Sequence, residues 1–247
     1  MPASLTRHGG GGDAARSGKS AQSPRLAGLG GGYSLLAAGA APSANTLQPS
    51  HPDAVRLSQL GARAGGSADE TAIVQRAIDR AIALALPLFI DVPTRVSMLR
   101  VRHANGLVVF QTAPILGLRG GSFPALLSIE DSSDISWTGR LWLSCQWNSG
   151  YEAAIRFTSG AGAITSNICM QDWSITGPRT AFRFGAPGDR NGAISEISIF
   201  GGFSYGCSNV IEAYGTETVL SFSGRTWSPI ILAVMGLGLG SRQTRCR

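Results

Sequence analysis

Lysine is almost missing: Lys19 is the only one in 247 residues. Charged residues make up 15% of the chain and aromatics 7%. A sequence so poor in helix-favouring charged side chains, with 33 glycines for turns, points to an all-β architecture. Histidine is also scarce. His8, His51 and His103 all precede the repeats described below, so a histidine base is not expected on them. Cys145, Cys169, Cys207 and Cys246 show no Cys-x-x-Cys spacing, which argues against a zinc site. Buried thiols and a disulfide both stay open. The apolar run 229–240 is shorter than the roughly 20 residues a spanning helix needs. No membrane span, metal or cofactor is expected, and nothing fixes an oligomeric state.

The net charge of +6 invites a nucleic-acid reading until the charges are located. Arg7, Arg16, Lys19 and Arg25 face only Asp13 before residue 45, and Arg242, Arg245 and Arg247 lie in the last six residues. The body between is neutral, whereas a nucleic-acid binder carries its basic patch on the folded domain. No nucleic-acid partner is expected.

Hydrophobic residues reach 43%, enough for a packed core. Residues 1–44 run from a polar basic stretch through the apolar Leu26–Ala41 to the small residues Ala41-Pro42-Ser43-Ala44. That is the order of a secretory signal; the other reading is a disordered tail. Export to the periplasm or beyond is the expectation. Residues 229–247 end in Ser241-Arg242-Gln243-Thr244-Arg245-Cys246-Arg247, unlike anything before them, and read as a non-native, truncated or frame-shifted tail.

Residues 45–66 read as a lead-in loop. Ser67-Ala68-Asp69-Glu70 reads as a capping box, opening a helix over 67–86 whose apolar stripe is Ile73, Ala77, Ile78, Ala81 and Ile82. Pro87 stops it, and Leu88-Phe89-Ile90-Asp91-Val92-Pro93 is a short strand ended by proline. The stretch Leu60-Gly61-Ala62-Arg63-Ala64-Gly65-Gly66-Ser67-Ala68-Asp69-Glu70-Thr71-Ala72-Ile73-Val74-Gln75-Arg76-Ala77-Ile78-Asp79 resembles the N-terminal motif of the pectate-lyase-like β-helix superfamily, in particular its rhamnogalacturonase/epimerase-like pectate lyase group. Two positions depart: Leu60 stands where phenylalanine is usual, and Pro93-Thr94-Arg95-Val96 replaces a Pro-x-Gly-x-Tyr segment. The resemblance implies a right-handed parallel β-helix whose mouth the helix closes, acting on polysaccharide.

An internal repeat over the coil region 87–228 points to the same fold independently. Leu127, Ile155, Phe182 and Ile211 each centre a short alternating segment, and they lie 28, 27 and 29 residues apart. A second, glycine-ended strand is expected at 135–139, 172–177, 194–201 and 219–224. A β-sandwich would need neither the fixed repeat nor a helix at the front.

If those four residues point inward, then so do Ile129, Phe157, Phe184 and Ala213. Ser128, Arg156, Arg183 and Glu212 then form an outward ladder. Glu212 can pair with Arg183, leaving Arg156 for a carboxylate, sulfate or phosphate on a sugar; the alternative is a solvated face. Asp172, Glu196 and Glu212 are the carboxylates put forward for acid–base or nucleophilic work, and Asp172 lies beside Trp173, a candidate sugar platform. Asp131 and Asp134 suit turns. Trp137, Trp142, Trp147 and Tyr151 add aromatic surface, some of it core. The polygalacturonase motifs Asn-Thr-Asp, Asp-Asp, Gly-His-Gly and Arg-Ile-Lys are absent, as is an Asp-His segment, so the family's catalytic residues find no counterpart. The expectation is a carbohydrate-directed protein: a lyase, hydrolase or epimerase on an acidic polysaccharide, a non-catalytic adhesin or tailspike-like module, or an inactive fragment.

Overall fold

The computed structural model describes residues 53–63, 68–146, 150–186, 192–214, 218–222 and 225–226, all within a unit spanning Ser50–Arg247. The stretches read as a leader at 1–44 and as a tail at 229–247, together with Ser67 and Trp147, lie outside them.

Three parallel sheets run through the described residues of this unit. Sheet A holds β1 (Val55–Arg56), β2 (Leu88–Ile90), β5 (Val108–Gln111), β8 (Ser133–Gly139), β11 (Ile164–Gln171), β14 (Ala193–Phe200) and β17 (Thr218–Phe222). Sheet B holds β3 (Thr94–Val96), β6 (Ile115–Gly117), β9 (Trp142–Ser144), β12 (Ser174–Thr176), β15 (Phe203–Tyr205) and β18 (Arg225–Thr226). Sheet C holds β4 (Leu99–Arg102), β7 (Leu127–Glu130), β10 (Ala153–Thr158), β13 (Thr180–Phe184) and β16 (Asn209–Ala213). From β2 on, the chain visits A, B and C in turn, so each coil stacks on the one before it. The fold is a parallel β-helix.

The repeat is a literal stacking register. Leu127 pairs with Ile155, Ile155 with Phe182 and Phe182 with Ile211. Leu99 extends the column one coil earlier through its pairing with Leu127. The residues beside them are buried as expected, and Phe157 and Phe184 stack with centroids 4.8 Å apart. In sheet A the core column is Val109, Trp137, Met170 and Ile199. Trp137 Nε1–H donates to Gln111 Oε1 at 2.9 Å, and Gln111 Nε2–H donates to the carbonyls of Ala113 and Trp142. That buried amide is thereby satisfied at the corner between sheets A and B.

One expectation about the second strand is corrected. Residues 172–177 hold β12 of sheet B, and the sheet A strand of that coil is β11. Gly139 ends β8, and Asp172 and Gly201 directly follow β11 and β14; all three are in left-handed backbone, at φ 83, 50 and 63. The αL residue marks a corner, and aspartate fills it in one coil because its short polar side chain tolerates that conformation.

Helix α1 spans Thr71–Leu84 and buries Val74, Ala77, Ile78 and Ala81, with Ile73 and Ile82 packed at the margin. Its start differs from the expected capping box. Asp69 Oδ1 accepts the Thr71 backbone N–H at 2.9 Å, while Glu70 Oε1 accepts the Arg63 N–H at 2.6 Å and so ties the lead-in segment to the helix. That segment is also more than a loop, since β1 pairs with β2.

The helix closes a raw edge. Among the described residues, the first strands of sheets B and C have no preceding strand, and unpaired strand edges invite association. Gln75 Oε1 accepts the Arg100 N–H at 2.9 Å and its Nε2–H donates to Arg100 O at 2.7 Å, so one amide side chain stands in for a neighbouring strand. Thr71 Oγ1 accepts the Ser97 N–H, and the Glu70 N–H donates to Arg95 O.

Tyr151 ties three coils together. Its Oη–H donates to Ser97 O at 2.7 Å and its oxygen accepts the Leu118 N–H at 3.1 Å. Burial pushes its pKa from 10.0 to about 12, against the opposing pull of the Leu118 hydrogen bond. Because the folded value is raised, the stabilisation is complete below pH 10 and is lost as pH rises through about 12. Tyr151→Phe should cost about 1–3 kcal/mol in urea unfolding at neutral pH, with a shallower fall of stability on that alkaline limb. An unchanged alkaline limb would assign the effect elsewhere.

Candidate functional site on sheet C

The ladder read from the sequence exists in register. Ser128 pairs with Arg156, Arg156 with Arg183, and Arg183 with Glu212; the exposed Arg100 extends the column one coil earlier beside Ser128. It is not a solvated face: Ser128, Arg183 and Glu212 are buried, and Arg156 is half-buried. Charges withdrawn from water must be paired, and most here are.

Arg183 Nε–H donates to Glu212 Oε2 at 2.8 Å, and an Nη1–H donates to Glu152 Oε2 at 2.6 Å. Asn209 Nδ2–H donates to Glu212 Oε1 at 2.5 Å. Burial alone would raise the pKa of Glu212; the nearby Thr180 hydroxyl, Arg183 and Asn209 outweigh it and hold the carboxyl below its usual 4.5. Burial works against the Arg183 charge, and Glu152 and Glu212 more than restore it. Glu212 is thus a fixed anion with both oxygens engaged, which suits it to hold Arg183 and not to donate a proton. At the other end, Arg102 Nε–H donates to Glu130 Oε2, and Ser128 Oγ–H to Glu130 Oε1 at 2.8 Å.

Arg156 lies between these two networks and belongs to neither. Its Nε is buried without a hydrogen-bond partner, and no ion pair to it is found among the described residues. Glu152, absent from the site as read from sequence, is what neutralises Arg183 from the segment before β10. It lies 31 residues from Arg183, a separation no local pattern reveals.

The other candidates lie elsewhere. Asp172 sits at the corner between β11 and β12, exposed. Glu196 lies inside β14 of sheet A at φ 54, exposed and stacked in line with Asn167 and Asp134, which share that backbone conformation. Asp172 stands level with Gly201, five residues along the neighbouring strand from Glu196, or about 16 Å at strand rise. Glu212 is on sheet C. No two of these carboxylates are brought to the separation of about 5–10 Å used in glycoside hydrolysis. Trp173 is 1% exposed and packs edge-on to Phe182 at 5.2 Å, so it is core and offers no face to a sugar. Asp131 has a turn role, its Oδ1 accepting the Gly160 N–H. Trp137 and Tyr151 are core, while Trp142 is exposed on sheet B. Cys145 and Cys207 are buried cysteines, and Cys169 is disulfide-bonded.

Among the described residues, no helix is long and apolar enough to cross a membrane, and no cluster of His, Cys, Asp and Glu could hold a metal. No family model matches the chain, and no curated protein matches it. Among solved structures, a Parabacteroides merdae chain described as a "putative glycosyl hydrolase" is similar, with TM-score 0.41 and 11% identity over 70% of this chain and 91% of its own. At that similarity nothing about activity passes from one chain to the other.

Proposed function

We propose that this protein is an exported β-helix that binds an acidic polysaccharide, holding one of its anionic groups against Arg156. The observation that carries the reading is the uncompensated Arg156 between two closed ion networks. A half-buried guanidinium has lost part of its hydration, and its planar fork fits a carboxylate or sulfate in a bidentate way. The pectate-lyase-like motif at 60–79 supports the ligand class. Binding is favoured over cleavage by the distance along sheet A between Asp172 and Glu196 and by the place of Glu212 on sheet C.

The test is affinity electrophoresis through gels containing polygalacturonate, alginate or a neutral glucan. The full chain should be retarded by the acidic polymers alone, and less so as salt rises. Arg156→Ala should weaken binding about tenfold or more, with partial rescue by Arg156→Lys. Equal retardation of wild type and Arg156→Ala overturns the reading. Release of reducing ends would mark a hydrolase, and new ultraviolet absorbance a lyase.

Export rests on the charge and hydropathy order of residues 1–44. Fused to a reporter active only outside the cytoplasm, that segment should switch the reporter on. Loss of signal when the apolar 26–41 stretch is interrupted by charges is the expected control, and an inactive intact fusion contradicts export.

A further inference from the structure

Sheet B carries a surface that the ladder on sheet C does not explain. Its outer face exposes three aromatic rings: Trp142 at 37%, Phe203 at 37% and Tyr205 at 52%. Trp142 and Phe203 both pair with Ser174, from opposite sides, so they stand two coils apart, about 9.6 Å at the inter-strand spacing. Arg140 fills the interval. Its guanidinium carbon lies 5.1 Å from the Trp142 ring centre and 5.7 Å from that of Phe203. The chain places it there through a local insertion. Two residues, Arg140 and Leu141, separate the Gly139 corner from β9, where Trp173 alone separates Asp172 from β12 and Gly202 alone separates Gly201 from β15.

The described strands of sheet B contain no Asp or Glu, and Arg95 lies within β3; the exposed Asp172 stands at the corner ahead of β12 and makes no ion pair among the described residues. Arg179 is exposed at the corner between β12 and β13. Between the rings lie hydroxyls: Thr176 Oγ1–H donates to Ser144 Oγ at 3.0 Å. Flat rings suit the C–H faces of pyranoses, hydroxyls suit their polar edges, and an arginine without an ion-pair partner suits a carboxylate. The ring interval is on the order of a disaccharide in an extended chain. With no carboxylate in these strands to act as acid or base, the surface is built to hold and not to cut.

We propose that the outer face of sheet B is a second, non-catalytic platform for an acidic glycan, with Trp142, Phe203 and Tyr205 stacking on sugar rings and Arg140 pairing with a uronate carboxylate. It shares its ligand class with the reading for Arg156 but none of its residues. An acid paired with Arg140 would favour a protein contact instead, since interfaces pair charges of both signs; among the described residues no ion pair to Arg140 is found.

The test uses the full chain and a short oligogalacturonate, followed by calorimetry and tryptophan fluorescence. Arg140→Ala and the double variant Trp142→Ala/Tyr205→Ala should each weaken binding about tenfold or more while far-UV circular dichroism stays unchanged. Trp142→Phe should keep binding yet abolish the fluorescence change, because it keeps a ring and removes the reporter. Arg156→Ala separates the two faces. If binding is lost in Arg156→Ala and intact in the sheet B variants, the platform is overturned and the sheet C reading stands. If binding survives Arg156→Ala and fails in the sheet B variants, the platform stands alone. Absence of any uronate binding by the wild type overturns both. A dimer in sedimentation that Trp142→Ala converts to monomer assigns the face to a second copy of this chain and overturns the platform.

Discussion

Arg183→Met is expected to destabilise the protein by about 3–5 kcal/mol, because it strands the buried Glu212 carboxylate without its cation. For a unit of this size the melting temperature should fall on the order of 10 °C. Glu152 is half-exposed and can turn to water, but Glu212 cannot. Adding Glu212→Leu to Arg183→Met should recover much of the loss, since two apolar residues remove the unpaired charge and both desolvation costs together. The pH dependence has a definite sign. Glu212 titrates lower folded than its ordinary 4.5, so its contribution is present above that value and lost as pH falls through the folded one. Glu212→Leu should therefore flatten the acid limb of the stability profile. Losses below about 1 kcal/mol in Arg183→Met, with no recovery in the double variant, would show that the network is not closed in solution.

Trp173→Ala should cost about 3–5 kcal/mol, the range for removing a large buried ring. The indole packs against Phe182 and, at 5.6 Å, Phe222, and the next coil lies close upon it: a Cβ added at Gly202 would come 2.2 Å from Trp173 O. Trp142→Ala, on the sheet B surface, should change stability by no more than about 0.5 kcal/mol. Denaturant unfolding of the two variants side by side checks the assignment. A Trp173→Ala protein of wild-type stability that had lost glycan binding would restore Trp173 to the surface.

The two tryptophans show where sequence stops being informative. Sheet C was legible because its strands are long enough to alternate and because Leu127, Ile155, Phe182 and Ile211 recur at nearly fixed distance. Sheet B strands have three residues or fewer, too short to display a period, so its third face and its exposed rings had no signature. Corner residues were misread for a related reason. Asp172 and Trp173 look like a carboxylate beside a platform in sequence, but one takes the αL corner and the other turns into the core. The pairing of Arg183 with Glu212 followed from register alone, whereas Glu152 came from outside the repeat. Gln75 was visible only as a polar residue on the helix, because the strand edge it caps is created by the fold.

The central claim is that successive coils stack in the register read from the repeat. Ser166 and Ser195 are partners on neighbouring coils of sheet A, half-buried and about 4.8 Å apart, within reach of a disulfide. Mass spectrometry of the oxidised Ser166→Cys/Ser195→Cys variant should find the peptides containing 166 and 195 bridged. The offset variant Ser166→Cys/Ser198→Cys should give no such bridge. A bridge in the offset variant, and none in the in-register one, would contradict the stacking on which the fold and both proposed glycan surfaces depend.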